Sequence, residues 1–183
     1  MKIRTFLALE LSQTVRNKLS VHAELISGHD KLKQIRWLPK KNYHLTLAFL
    51  GNVEYALIRS LQLKLEQNLS YNKAVPFRFS EITPFPFSGT PKIAAAMLEY
   101  SDELMQFQHN TAKCVRAFGI SLERRRFTPH VTLGRLKSRS RKSIAFQPQQ
   151  IFLEGVSEKV VIFQSELVQK GAIYLSLGEI SLM

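Results

Sequence analysis

The feature that most constrains this chain is a seven-residue pattern that occurs twice. Residues 44–50 read His-Leu-Thr-Leu-Ala-Phe-Leu, and residues 130–136 read His-Val-Thr-Leu-Gly-Arg-Leu. The two copies begin 86 residues apart in a chain of 183, so each half of the chain contains one. A repeat at this spacing predicts two lobes of similar construction, each contributing one copy to a shared site.

Both copies alternate in the manner of a β-strand. Because successive side chains of a strand point to opposite faces, His44 and Thr46 should share one face while Leu45 and Leu47 point to the other. Two residues along a strand span about 7 Å, which lets a histidine and a threonine contact one phosphate together. The pattern predicts a polar His/Thr face above buried leucines.

Positive charge surrounds both copies. The formal net charge is +12, and no acidic residue lies between Asp30 and Glu54 or between Glu123 and Glu154. An excess of lysine and arginine favours polyanionic partners, since these side chains replace the counterions of phosphates. The basic residues of the two acid-free stretches are Lys31, Lys33, Arg36, Lys40 and Lys41, then Arg124, Arg125, Arg126, Arg135, Lys137, Arg139, Arg141 and Lys142.

Hydrophobic periodicity predicts an α+β fold with mainly antiparallel sheet, since strands adjoin in sequence and helices are few. A helix should begin after an N-cap at Ser12, and leucines at 57, 61, 65 and 69 predict a second over 54–69. A third should run from 102 to 117 before Gly119. We predict strands at 3–10, 35–38, 43–50, 77–82, 93–100, 127–136, 151–154, 160–167 and 172–182, with turns at 51–52 and 83–91 and a charged loop at 137–142.

Two histidines facing each other suit the cleavage of a phosphodiester. A neutral imidazole accepts a proton from the attacking oxygen, and a protonated one donates to the leaving oxygen. Two structural histidines and a metal site are the alternatives, although no Asp, Glu or Cys lies near either motif in sequence. No motif for a serine or cysteine nucleophile or for a Gly-rich phosphate loop is present. We therefore expect a pair that works without a metal or other cofactor.

The remaining chemistry-bearing residues point to structural roles. His22, His29 and His109 are expected at helix surfaces or ends, and Cys114, the one cysteine, in a buried helical position. The chain has no apolar run of membrane-spanning length, so we expect a cytoplasmic protein without a membrane partner.

With His-x-Thr-Leu present twice, the sequence resembles the two-histidine (2H) phosphoesterase superfamily. It is most similar to the RNA 2′,3′-cyclic phosphodiesterases, also called 2′-5′ RNA ligases. The segments that carry the likeness include Arg-Thr-Phe-Leu-Ala-Leu at 4–9, Arg-Trp-Leu-Pro at 36–39, Asn-Tyr before the first motif, Phe-Thr-Pro before the second, Phe-Gln-Ser-Glu-Leu at 163–167 and Gly-Ala-Ile-Tyr at 171–174.

The resemblance implies one bilobal domain over residues 1–183, with two pseudo-symmetric lobes of mainly antiparallel sheet, helices outside and a central groove. It implies metal-independent hydrolysis of a terminal 2′,3′-cyclic phosphate on RNA to a 2′-phosphate, with weak reverse 2′-5′ ligation. By the same likeness, His44 is the proton donor and His130 the proton acceptor, and Thr46, Thr132 and Arg135 bind the substrate. RNA ends such as tRNA fragments are the expected partners of a monomer.

Some positions depart from the family or from simple geometry. Thr128 stands where relatives often have arginine, which Arg124–Arg126 would have to replace. Strict alternation turns Arg135 away from His130, so a groove position requires a β-bulge or a strand end, and a solvated charge on the sheet face is the alternative. Phe49, at the matching position of the first motif, is predicted to lie in the core. Trp37 and Tyr43 are stacking candidates for a nucleobase, with burial as the alternative.

Two other functions remain open. The first is a 2H phosphoesterase that acts on a small cyclic nucleotide, against which the net charge of +12 favours a polymer. The second is an RNA-binding module without catalysis, which has no need of a matched acid and base.

Overall fold

The computed structural model describes residues 1–31, 33–124, 126–137, 146–168 and 171–183. Within them the chain forms three α-helices and nine strands. The helices are α1 (Gln13–His29), α2 (Ile58–Leu69) and α3 (Asp102–Ala117). The strands are β1 (Lys2–Glu10), β2 (Ile35–Trp37), β3 (His44–Glu54), β4 (Val75–Phe85), β5 (Ile93–Leu98), β6 (His130–Leu136), β7 (Gln149–Ser157), β8 (Lys159–Val168) and β9 (Gly171–Ser181).

The strands form an antiparallel sheet in the order β7-β4-β5-β6-β3-β1-β8-β9, with β2 added beside β6. The two motif strands, β3 and β6, are neighbours in the middle, and their register joins them at Leu45 and Val131. Outward from each lie three further strands, so the sheet divides into a first half (β3, β1, β8, β9) and a second half (β6, β5, β4, β7). This is the α+β arrangement predicted from the sequence.

Corresponding residues of the two halves have corresponding partners. In the first half Thr46 pairs with Ala8, and in the second Thr132 pairs with Ala95. The motif leucines Leu45, Leu47 and Leu133 are buried in one core. Helix α1 contacts β6 and β7 of the second half, and α3 contacts β3 of the first half and β4 of the second. None of the described helices is long and apolar enough to span a bilayer.

The predicted helix signals are confirmed where they depend on local hydrogen bonds. The Ser12 hydroxyl accepts from the Val15 amide at 3.3 Å, which caps the start of α1. Helix α3 has the predicted bounds, and Gly119 follows it with a positive φ of 94°. The Gly119 and Ile120 amides donate to the carbonyls of Arg116 and Val115, which closes the last turn.

Two predicted features of the first half were wrong. Gly51 and Asn52 do not end the strand, because β1 continues to pair with β3 as far as Lys2 and Glu54. Leu57 is 45% exposed in a 3₁₀ turn that precedes α2, while Ile58 is buried instead. The change of helix type shifts the apolar stripe by one position, and Leu61, Leu65 and Leu69 are buried as predicted.

Other boundaries moved with the pairing of the strands. β4 extends through Phe85 into the predicted turn because it stays paired with β5, and β6 begins only at His130. Residues 138–142 of the predicted charged loop lie outside the described residues.

Candidate active site

A β-bulge follows the threonine of each motif. In the first half, Ala8 pairs with Thr46 but Leu7 pairs with Ala48, which leaves Leu47 as the extra residue. In the second half, Ala95 pairs with Thr132 but Ala94 pairs with Gly134, which leaves Leu133. A bulge reverses the alternation beyond it. Of the two arrangements that would bring Arg135 to the groove, the structure shows the bulge, and Arg135 and the equivalent Phe49 share the His/Thr face.

In each bulge, the carbonyl of the extra residue accepts a hydrogen bond from outside the strand pair that forms the bulge. The Leu47 carbonyl accepts from Nε2 of Gln108 on α3 at 3.0 Å. The Leu133 carbonyl accepts from the Leu38 amide, just after β2, at 2.8 Å. Because a buried carbonyl without a partner is costly, these contacts stabilise the irregular backbone.

The two motif histidines have the same backbone hydrogen bond. Nδ1 of His44 contacts the Asn42 carbonyl at 2.7 Å, and Nδ1 of His130 contacts the Thr128 carbonyl at 2.8 Å. A carbonyl oxygen only accepts, so Nδ1 must carry a proton in both rings. Nε2 is therefore the atom that exchanges a proton, as a base when the ring is neutral and as an acid when it is charged.

The aromatic surroundings of the two imidazoles differ. His44 contacts Phe6, Tyr174 and Phe163, at ring-centroid distances of 4.8, 5.1 and 5.8 Å. His130 contacts Phe85, at 4.8 Å. Phe6 pairs with Phe49 on one side and Phe163 on the other, and Ile93 pairs in the same way with Arg135 and Phe85. Ile93 is therefore the counterpart of Phe6 in the second half, and Phe85 is the counterpart of Phe163. His44 thus lies in a three-ring box, defined by Phe6, Phe163 and Tyr174, that the second half does not repeat among the described residues.

Burial lowers the pKa of both histidines because it removes water from the charged form. The pKa of His44 falls to about 4, although the hydrogen bond to the Asn42 carbonyl opposes the shift, and the nearby positive charges of His130 and Arg135 add to it. Burial also lowers the pKa of His130, again against its backbone hydrogen bond. Both rings of the free protein are neutral at pH 7.

The structure brings most of the predicted site residues to one groove. A cavity of about 340 Å³ has His44, Thr46, Thr132 and Arg135 in its lining. His130 is not in that lining, but it lies half-buried on the same strand face as Thr132. Within the described residues, neither threonine hydroxyl has a protein hydrogen-bond partner, which leaves both available to an anion.

Sequence reasoning did not assign several charged and aromatic residues to this groove. Arg4, Arg36, Phe49 and Tyr174 line it as well. The prediction that Phe49 lies in the core was wrong, since its side chain is 57% exposed. The repeat itself contained the signal, because Phe49 occupies the position of Arg135. Arg36 lies in an acid-free stretch, so charge alone made it one candidate among many.

The remaining candidates do not reach the groove. Tyr43 is buried, and burial raises its pKa to about 12, so it is not free to stack on a base. Trp37 is half-buried, with an indole N–H that has no partner among the described residues. Arg124 and Arg126 are exposed but do not line the groove, and Arg125 lies outside the described residues. Arg4 and Arg36 are the cations found there in addition to Arg135.

The described part of the chain contains no group of three or more His, Cys, Asp and Glu side chains arranged to hold a metal ion. The polar groups gathered at the groove are instead imidazoles, hydroxyls and guanidiniums. These can move protons and hold a phosphate.

An antiparallel sheet that presents two His-x-Thr strand faces to one cationic groove defines the two-histidine phosphoesterase class. A family model described as the 2′-5′ RNA ligase superfamily matches residues 17–152. The chain therefore belongs to this superfamily.

Similar proteins agree with that assignment. The chain is 28% identical to the RNA 2′,3′-cyclic phosphodiesterase of Thermotoga maritima, over 97% of this chain and 94% of that one. It is 28% identical to the enzyme of the same name from Archaeoglobus fulgidus, over 96% and 98%. Among solved structures, a Thermus thermophilus protein superposes with a TM-score of 0.80 at 26% identity, over 98% of this chain and 97% of that one. E. coli LigT shares the fold, with a TM-score of 0.77 at 20% identity over 100% and 98%.

Proposed function

We propose that this protein hydrolyses the 2′,3′-cyclic phosphate at the 3′ end of RNA to a 2′-phosphate. The observation that carries the proposal is the matched pair of imidazoles, each held through Nδ1 by a backbone carbonyl, beside two threonine hydroxyls without protein partners among the described residues. The relatives named RNA 2′,3′-cyclic phosphodiesterase support the choice of reaction.

The proposed mechanism uses each histidine once. Nε2 of His130 accepts a proton from water as the water oxygen forms a bond to phosphorus. The bond from phosphorus to O3′ breaks, and Nε2 of His44 donates a proton to O3′. The products are a 2′-phosphate and a 3′-hydroxyl, and proton exchange with water restores both rings. The direction of transfer follows the family, since the two motifs are alike in their backbone hydrogen bonds.

The groove's polar groups stabilise the transition state. Thr46 and Thr132 donate to the non-bridging oxygens, on which negative charge increases as water attacks. The same anion raises the pKa of His44 on binding, so the donor becomes charged when substrate is present.

One assay tests the proposal directly. An oligoribonucleotide ending in a 2′,3′-cyclic phosphate is incubated with the protein and a chelator, and the product is identified by mass and phosphatase sensitivity. We expect a 2′-phosphate, and we expect His44→Ala and His130→Ala each to lower kcat by at least about 100-fold while RNA binding persists. The control is His109→Ala, which changes an exposed histidine on α3.

Three results contradict the proposal. They are no turnover by the unmodified protein, turnover that disappears only with chelator, and equal losses in the His109 variant. The second result favours a metal site, and binding without turnover favours an RNA-binding module.

Further parts of the proposal concern the reaction's setting. The chain works as one bilobal domain and as a monomer in the cytoplasm, without a cofactor, on ends such as those of tRNA fragments. Weak 2′-5′ ligation uses the same groups, with a 5′-hydroxyl in place of water as the attacking oxygen, and it is reversible.

A further inference from the structure

The groove contains more positive charge than a terminal cyclic phosphate requires. Arg4, Arg36 and Arg135 line it, and no acidic side chain does so within the described residues. None of the three guanidiniums has an ion pair or hydrogen bond to the described part of the protein. A cyclic phosphate has one negative charge, and the His44 donor in its charged form already balances it.

Two of these arginines lie directly opposite each other. Arg36 of β2 pairs with Arg135 of β6 in the antiparallel register, so both side chains project from the same face. Both are exposed. Like charges in such a position repel each other, which destabilises the pairing unless an anion lies between or above them. The arrangement is typical of a site that holds a phosphate with two guanidiniums.

The distance along β6 separates this pair from the reacting phosphate. Thr132 and Arg135 are three residues apart, but the bulge at Leu133 reduces the spacing to two strand steps, about 7 Å. That is close to the length of one nucleotide, so the arginine pair can hold the phosphate next to the one that Thr132 contacts. Because β3 and β6 run antiparallel, Arg135 and its counterpart Phe49 lie beyond the motif residues in opposite directions. The arginine pair therefore marks one end of the groove.

We propose that Arg36, together with Arg135, forms a subsite for the phosphodiester that precedes the terminal nucleoside. The inference rests on the proposed function and assigns Arg36 a role in selecting a chain over a mononucleotide. A nucleoside 2′,3′-cyclic phosphate leaves this subsite empty, whereas the shortest RNA that fills it is a dinucleotide.

The test compares three substrates in the unmodified protein and in Arg36→Gln. They are adenosine 2′,3′-cyclic phosphate, the ApA dinucleotide with a 2′,3′-cyclic phosphate, and the same dinucleotide with a neutral methylphosphonate linkage. In the unmodified protein we expect the linkage charge to raise kcat/KM by about tenfold, mainly through KM. In Arg36→Gln the charged and neutral dinucleotides should differ by less than about twofold.

The matched control is Lys113→Gln, which removes the same charge from an exposed position on α3. It should retain the preference for the charged linkage. Arg36→Lys should retain part of it, since a lysine preserves the charge but not the two-pronged contact.

Two outcomes overturn the inference: an undiminished preference in Arg36→Gln, or an equal loss in Lys113→Gln. Failure of the proposed function is distinguishable, because it abolishes turnover of all three substrates. In that case, calorimetric binding of ApA 2′-phosphate with a charged or neutral linkage measures the same subsite, with the same expected loss in Arg36→Gln.

Discussion

The two motif histidines differ in what surrounds them. Each has an Nδ1 hydrogen bond to the carbonyl two residues earlier, but only His44 has the three-ring box of Phe6, Phe163 and Tyr174 among the described residues. The box removes water from the imidazolium and so lowers the pKa of His44, to about 4. A weaker base is a stronger acid once charged, which suits a proton donor.

The box should control the titration of His44 alone. We expect Tyr174→Leu to raise the pKa of His44 towards 6.5, by roughly one pH unit, because water enters beside the ring. Tyr174→Phe should leave the pKa near 4, and Phe85→Leu should raise the pKa of His130 instead. Titration of the ring-proton NMR signals measures both groups. An unchanged His44 pKa in Tyr174→Leu contradicts the role of the box.

The lowered pKa also predicts the pH dependence of the reaction and of stability. In the active form His44 is charged and His130 is neutral, so both limbs of the kcat/KM profile should lie below pH 6.5. The optimum of the kcat profile should lie at a higher pH, because bound phosphate favours the charged form of His44.

The folded protein binds fewer protons than the unfolded chain between pH 6.5 and about 4, so the free energy of unfolding should fall as pH decreases through that interval.

At the scale of the elements, the short strand β2 forms one end of the groove. It pairs with β6 from Ile35 to Trp37 and carries Arg36 into the groove. The contact is close at Gly134, where an added Cβ would lie 2.5 Å from Cγ2 of Ile35 and 3.3 Å from the Arg36 carbonyl oxygen. The first motif has Ala48 at this position, so the requirement for glycine is specific to the half that has β2.

Gly134→Ala should therefore displace β2. We expect a loss of about 1–3 kcal/mol in the free energy of unfolding, since the core at this point has no space for a methyl group. The preference for a charged dinucleotide should decrease as well, because Arg36 moves with the strand. Urea unfolding measures the first effect, and Ala48→Gly, which should cost no more than about 1 kcal/mol, is the control. A variant as stable as the unmodified protein contradicts the prediction.

At the scale of the whole molecule, the places where the positive charges lie say more about function than the net charge of +12 does. The sheet brings Arg4 of β1, Arg36 of β2 and Arg135 of β6 to one groove, although they are distant in sequence. The helices pack against the leucine face of the motif strands and bury it. One face of the central strands therefore contributes to stability and the other to the groove.

This arrangement predicts how RNA affinity depends on salt. If the groove holds three phosphates, with Arg36 and Arg135 sharing one of them, the logarithm of the binding constant for a short single strand should fall against the logarithm of salt concentration with a slope of about −2. A nucleoside 2′-phosphate should give a much smaller slope. Fluorescence anisotropy at several salt concentrations measures both, and equal slopes for the two ligands would count against a polymer-binding groove.

The sequence by itself determined the features that depend on neighbours along the chain. The repeat predicted that His44 shares a strand face with Thr46 and that His130 shares one with Thr132, because strand alternation is a property of consecutive residues. The caps of α1 and α3 were predictable for the same reason, since their hydrogen bonds join residues three to five apart. The α+β class followed from the order of these local patterns.

Only the tertiary structure decided what depends on distant partners. The exposure of Phe49 and the groove position of Arg135 arise from bulges that pairing with β1 and β5 creates. The extension of β3 past Gly51 depends on β1, and Arg36 reaches the groove because β2 pairs with β6. The physical reason is that a register is set by hydrogen bonds between strands remote in sequence. The repeat could therefore predict the histidine pair, but not which arginines and aromatic rings surround it.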